Sequence, residues 1–234
     1  MYAHPLAKTM EGWWKDHADQ ASDPEWKKFI DTFDHYLEIK YQEWLSEHTN
    51  TINGERVYGM SKTGGCTRAS NLHLLDVPRE PYSGSTRFTF WLGHVIEVAA
   101  LATLPMVGYE IESTQGSAEL AGIFSSATDG IINLTNRRTI VSVKSTAYKM
   151  SGRRFNKGKE TWTRRGFAEL PFTGFAKANP GHYAQLQVEM AAEDISQGLM
   201  LYVSKDIQKV FENDDYLGER GNGSLTFYCE LVNF

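Results

Sequence analysis

Ala127-Thr128-Asp129-Gly130-Ile131-Ile132, a polar turn at Thr135-Asn136-Arg137-Arg138, and Thr139-Ile140-Val141-Ser142-Val143-Lys144-Ser145-Thr146 form the stretch that decides how this chain reads. Two apolar-rich runs separated by turn residues predict a β-hairpin, with an acid on its first strand and a lysine on its second. A carboxylate so placed can hold a divalent cation that polarises phosphate and lowers the pKa of a bound water. An ammonium beside it orients the nucleophile and offsets developing charge. Asp129 and Lys144 are therefore candidate catalytic residues for phosphodiester hydrolysis.

Upstream, residues 90–104 predict a helix with Leu92, Val95, Ile96, Ala99 and Ala100 apolar, which sets Glu97 beside a buried face. An acid there is costly without a partner, and a metal ion would be one. Strands are expected at about 108–112 and 118–125. Near the N-terminus, Ser22 or Asp23 can cap a helix that has Pro24 and Glu25 in its first turn. The helical period of Trp26, Phe29, Ile30, Phe33, Tyr36, Leu37, Tyr41, Trp44 and Leu45 reads as core, with base stacking by Trp26 or Trp44 as the alternative. Residues 49–65 read as a loop or short hairpin. Arg68, ahead of a short helix ending near Leu74, is either a phosphate contact or a surface arginine.

Downstream, residues 149–175 show no apolar period. Arg153, Arg154, Lys157, Lys159, Arg164 and Arg165 are interleaved with Phe155, Trp162 and Phe167, the composition of a loop that grips single-stranded nucleic acid. Gly181-His182-Tyr183-Ala184-Gln185-Leu186-Gln187-Val188-Glu189-Met190 begins another helix, on which Gln185 and Glu189 share a face. A buried strand at 199–204, a polar turn region at 213–223 and a closing strand at 225–232 complete the expected elements.

The 234 residues, 41% hydrophobic and 12% aromatic, suffice for a full core, and the expectation is a single domain. The first residues lack a basic segment followed by an apolar run, and no stretch reads as the roughly 20 apolar residues that span a bilayer. A cytoplasmic protein without a membrane partner is expected. Cys66 and Cys229 are too few for a disulfide framework or a four-thiolate cluster within this chain. The net charge of -5 hides an uneven distribution: residues 144–177 carry nine basic side chains against Glu160 and Glu169, a window of +7 that leaves -12 elsewhere. Such a patch can bind a phosphate backbone, because screening confines the field to about 8 Å at physiological salt.

Taken in order, Gly93-x-x-x-Glu97, Asp129-Gly130, Ser142-x-Lys144 and Gln185-x-Gln187 resemble the PD-(D/E)XK nucleases, most closely the lambda-exonuclease and RecB-type branch. The resemblance covers residues 61–206. It implies an α/β fold of the restriction-endonuclease-like kind: a mixed central sheet flanked by helices, here with a helical N-terminal extension over residues 1–60 and a core over 61–234 that bears the basic loop 149–175. It implies Glu97 and Asp129 as ligands of Mg2+ or Mn2+, completed by the backbone carbonyl of Val143. Lys144 and Gln185 would position or stabilise the attacking water. Cys66 and Arg68 resemble the element before the first motif of the RecB-type branch, where a cysteine joins three C-terminal ones. With only Cys229 available here, no iron-sulfur cluster is expected.

Thr128 replaces the proline of the family name without chemical consequence, since that residue does not ligate metal. Ser142 replaces the second acid, and a hydroxyl is a weak ligand for a hard cation. Either the acid has migrated, with Glu189 the candidate, or it was altered to trap a substrate complex, or the chain binds DNA without cleaving it. The expected function is a metal-dependent exonuclease acting on DNA ends in phage-type recombination, replication or repair. DNA, a single-strand annealing protein and a second copy of the chain are the expected partners. The alternatives are a catalytically silent DNA-binding or assembly protein on the same fold, and an endonuclease.

Overall fold

The computed structural model describes residues 4–45, 51–63, 66–75, 77–78, 80–146, 150–156, 159–165, 170–204 and 227–233. In chain order these form α1 (Leu6–His17), α2 (Pro24–Leu45), β1 (Thr51–Ile52), β2 (Glu55–Arg56), β3 (Tyr58–Gly59), a 3-10 turn (Met60–Lys62), α3 (Thr67–Leu74) and α4 (Gly84–Met106). They continue with β4 (Ile111–Leu120), β5 (Phe124–Leu134), β6 (Arg137–Thr146), β7 (Met150–Asn156), β8 (Lys159–Arg165), α5 (Leu170–Thr173), α6 (Phe175–Ala178), α7 (Pro180–Ala192), β9 (Gln197–Ser204) and β10 (Phe227–Asn233).

The main sheet runs β10-β9-β6-β5-β3, with β4 also paired to β5. It is mixed: β6 pairs with β9 and β3 with β5 in parallel, and the remaining pairs are antiparallel. Strand alternation decides what lies on each face. Val141 and Val143 of β6 join Ala100, Leu101 and Leu104 of α4 and Leu6, Ala7 and Met10 of α1 in one cluster. Ile140, one residue out of phase, joins Leu186 and Met190 of α7, Met200 and Tyr202 in another. The sheet is thus sandwiched between α1 with α4 and α7, the mixed α/β architecture that the sequence resemblance implies.

The tight approach of α7 is written into Gly198. A Cβ there would meet Met190 Sδ at 2.7 Å and Leu186 Cδ1 at 2.9 Å. Gly198→Val will therefore destabilise the protein by about 1–3 kcal/mol, the usual cost of overpacking, visible as a lower denaturation midpoint in urea. An unchanged midpoint would mean that α7 does not sit on β9 this closely.

At the N-terminus, Asp23 caps α2 by accepting from the Glu25 N–H at 2.8 Å. Trp26 stacks on Phe29 at 5.1 Å, and Trp14 Nε1 donates to Thr103 Oγ1 of α4 at 3.0 Å. Trp26 is thereby part of the helix packing, while the Trp44 side chain lies outside the described residues. Residues 51–56 form the short hairpin β1-β2.

Four expectations are corrected. The helix expected at 90–104 starts at Gly84, because Ser83 caps it by accepting from the Thr86 N–H at 3.2 Å. Thr135 and Asn136, with φ of 52° and 62°, alone make the turn between β5 and β6, so Arg137 and Arg138 belong to β6. The strands expected at 108–112 and 118–125 prove to be the single strand β4, held through its polar middle by β5 (Gly116 opposite Thr128), and the start of β5. The basic stretch is not a loop where it is described: Met150–Asn156 and Lys159–Arg165 pair as the hairpin β7-β8, and α5 and α6 come after it. This hairpin is a two-stranded sheet separate from the main one. The 23-residue α4 is, moreover, long and apolar enough to cross a bilayer by length and composition. Its Val98, Ala100, Leu101, Ala102 and Leu104 are instead buried within the protein. The turn region at 213–223 lies outside the described residues.

Candidate active site

The ladder between β5 and β6 ends at Gly130 opposite Val141. Beyond it β5 continues along β4, and β6 continues along β9 as far as Thr146 opposite Ser204, so the two strands part at Asp129. Parting leaves the Val143 N–H without a strand partner. Asp129 Oδ2 accepts it at 2.7 Å, which fixes the carboxylate at the mouth of the gap. The preceding approach is close: a Cβ on Gly130 would lie 3.4 Å from Leu101 Cδ2 of α4.

Lys144 Nζ lies 3.9 Å from the same Asp129 oxygen. From α7, Gln185 and Glu189 turn inward, both buried, and Gln185 Nε2 donates to Glu189 Oε1 at 2.6 Å. Glu189 Oε2 and Ser142 Oγ are buried without a hydrogen-bond partner. From α4, Glu97 reaches the site but is already engaged: Lys40 Nζ of α2 donates to its Oε1 at 2.9 Å, and His94 Nδ1 lies 3.5 Å from its Oε2.

The charges are unequally balanced. Burial pushes the Asp129 carboxyl up to about 7, reinforced by Glu97 and Glu189 and opposed by Lys144 and Lys40. Burial acts the same way on Glu97, but the hydrogen bonds and charges of His94 and Lys40 outweigh it and hold this carboxyl down at about 2. Glu189 is raised by burial, against the pull of Lys144 and the bond from Gln185. Among the described residues, no three His, Cys, Asp or Glu side chains stand close enough to hold a metal ion by themselves. Glu97 is held by Lys40 and His94, and the charges of both Glu97 and Glu189 act on Asp129.

Three residues of this neighbourhood were not legible beforehand. Lys40 and His94 hold Glu97, and His182, at the start of α7, shares a 2.7 Å hydrogen bond with Tyr202 Oη through its Nδ1. Burial and Lys144 push His182 down to about 4, so the ring is neutral at neutral pH. The signal for Lys40 was absent, because 57 residues separate it from its partner.

Arg68 is exposed on α3. In the β7-β8 ladder Arg153 stands opposite Trp162, Arg154 opposite Thr161, Arg164 opposite Ser151, Arg165 opposite Met150 and Lys159 opposite Asn156. Lys157 lies outside the described residues. Cys66 is exposed and Cys229 buried.

No family model matches this chain, and no characterised protein matches it by sequence. Among solved structures it is similar to an alkaline exonuclease (LHK-Exo) from Laribacter hongkongensis, with 14% identity and a TM-score of 0.46 over 82% of this chain and 81% of that one. The complex of LHK-Exo with dAMP gives 15% identity and 0.45 over 82% of each chain. A phage-related exonuclease from Haemophilus somnus 129PT gives 16% and 0.40, over 74% of this chain and 68% of that one.

Proposed function

We propose that the chain is a metal-dependent deoxyribonuclease that removes nucleotides from DNA ends. One observation carries the reading: Asp129, Lys144, Glu189 and Gln185 converge on the face covered by α7, at the place where β5 and β6 part. The donor set fits a hard divalent cation. Asp129 and Glu189 offer oxygen ligands, one Glu189 oxygen is buried and unpartnered, and Asp129 is surrounded by more negative charge than its lysines offset. With these two residues and the Val143 carbonyl holding it, Mg2+ or Mn2+ supplies Lewis-acid polarisation of the phosphate and a lower pKa for water.

The chain's own groups do the rest. The Lys144 ammonium, 3.9 Å from Asp129, offsets the charge that builds on the phosphate oxygens during in-line attack. Gln185 is pinned by Glu189 and orients the attacking water or the lysine. The β7-β8 hairpin, which begins six residues after Lys144, carries Arg153, Arg154, Lys159, Arg164 and Arg165 to grip the strand. Ser142 supports a second reading, a DNA-binding protein without turnover, because its hydroxyl is a poor metal ligand and is buried without a partner.

The test is incubation of end-labelled linear and closed circular DNA with Mg2+, Mn2+ or chelator. Linear DNA is expected to be lost only with metal while circles persist. Nicked circles would make the chain an endonuclease, and binding without cleavage would leave the DNA-binding protein.

A further inference from the structure

Lys40 belongs to none of the catalytic motifs, comes from a helix outside the stretch that carries them, and yet enters the site. Its side chain is 7% exposed and that of Glu97 11%, so both charges have left water. Burying an ammonium is costly unless its surroundings compensate it. Here the compensation comes from the acids of the site: Lys40 touches Glu97 directly and its charge also stabilises the Asp129 carboxylate.

We propose that Lys40 is a resident cation of this site, occupying the Glu97 carboxylate that a second divalent ion would need, so that the chain takes a single divalent ion, held by Asp129 and Glu189. The inference rests on the metal-dependent reading given above. Charge supports it. With all three carboxylates ionised, as metal ligation requires, Glu97, Asp129 and Glu189 against Lys40 and Lys144 leave one net negative charge. One divalent ion and one phosphodiester bring the total to neutrality, whereas two ions would leave the same complex with two uncompensated positive charges. Geometry agrees, because both Glu97 oxygens are already engaged, one by Lys40 and the other by His94.

Titration of the DNA-free protein with Mn2+ in a calorimeter tests this without recourse to activity. One ion per chain is expected for the unmodified protein and for Lys40→Arg, and two for Lys40→Met, which releases Glu97 Oε1 from its ammonium. A variant that leaves Lys40 in place provides an independent arm. Glu97→Gln should keep one ion and change its affinity by less than about threefold, where loss of a metal ligand would cost about tenfold or more. Two ions per unmodified chain, or a tenfold loss in Glu97→Gln, would overturn the resident-cation role alone. Failure of every variant to bind Mn2+ would instead sink the metal-dependent reading, and this inference with it.

Discussion

Asp129→Asn abolishes cleavage and, in the absence of metal, raises the melting temperature at pH 8. Both effects come from the same charge. Asp129 has a carboxyl held at about 7 in the folded protein, above the ordinary 3.8. Below the lower value it is neutral in both states and costs nothing. As pH rises from there to about 7 the unfolded chain ionises first, so folding stability drains by roughly 1.4 kcal/mol per pH unit, and the loss is complete above about 7. The side chain keeps 14% exposure, which moderates the penalty. A gain of about 2 kcal/mol for the asparagine variant, or about 4–8 °C in a protein of this size, is the reasonable scale.

The amide oxygen of asparagine still accepts the Val143 N–H, so the variant loses the charge and little else. Glu97 behaves oppositely. Its carboxyl is held at about 2, so its contribution is present above the ordinary 4.5 and is lost as pH falls through about 2. Thermal melts at pH 5 and pH 8, with chelator and with Mn2+, check the prediction. The unmodified protein gains stability from Mn2+ at pH 8, and Asp129→Asn does not. A lower melting point for Asp129→Asn in chelator at pH 8 would refute the assigned charge imbalance. Cleavage should fall by about three orders of magnitude or more, since the substitution removes the proposed metal ligand together with its charge.

Moving the acid between β6 and α7 is the second large effect. Glu189→Ala is expected to slow single-turnover cleavage by about 10²–10³. Ser142→Glu alone adds another carboxylate to a buried site that already holds three, and should lower the melting point while leaving cleavage no faster. The combined Ser142→Glu with Glu189→Ala restores one acid to the β6 position and should recover at least tenfold over Glu189→Ala. Full activity in Glu189→Ala would remove Glu189 from the site.

The parts of this site that were readable from sequence are those fixed by local period. Asp129 and Lys144 follow from a hairpin, and Gln185 with Glu189 from a spacing of four on a helix. Glu97 follows from its place in an apolar stripe. What sequence did not disclose depends on distant pairing. Lys40 lies on α2, where the aromatic stripe dominates the pattern, and its role exists only because α2 and α4 pack together. The basic hairpin β7-β8 was equally silent: its sequence has no apolar alternation, and its pairing is with itself, apart from the main sheet. The start of α4 was obscured for a related reason: Phe88, Phe90 and Trp91 are exposed, and an exposed turn carries no stripe to read.

The first and last described elements clasp one another: α1 lies against β10, with the His4 N–H donating to the Cys229 carbonyl at 2.7 Å and Leu6, Ala7 and Met10 in the same cluster as Phe227 and Cys229. A chain emerging from the ribosome therefore releases α1 long before the strand that receives it exists. The apolar face of α1 therefore stays partly uncovered until a strand 225 residues further along the chain has been made, and a ribosome that stalls before β10 leaves that part of the core open.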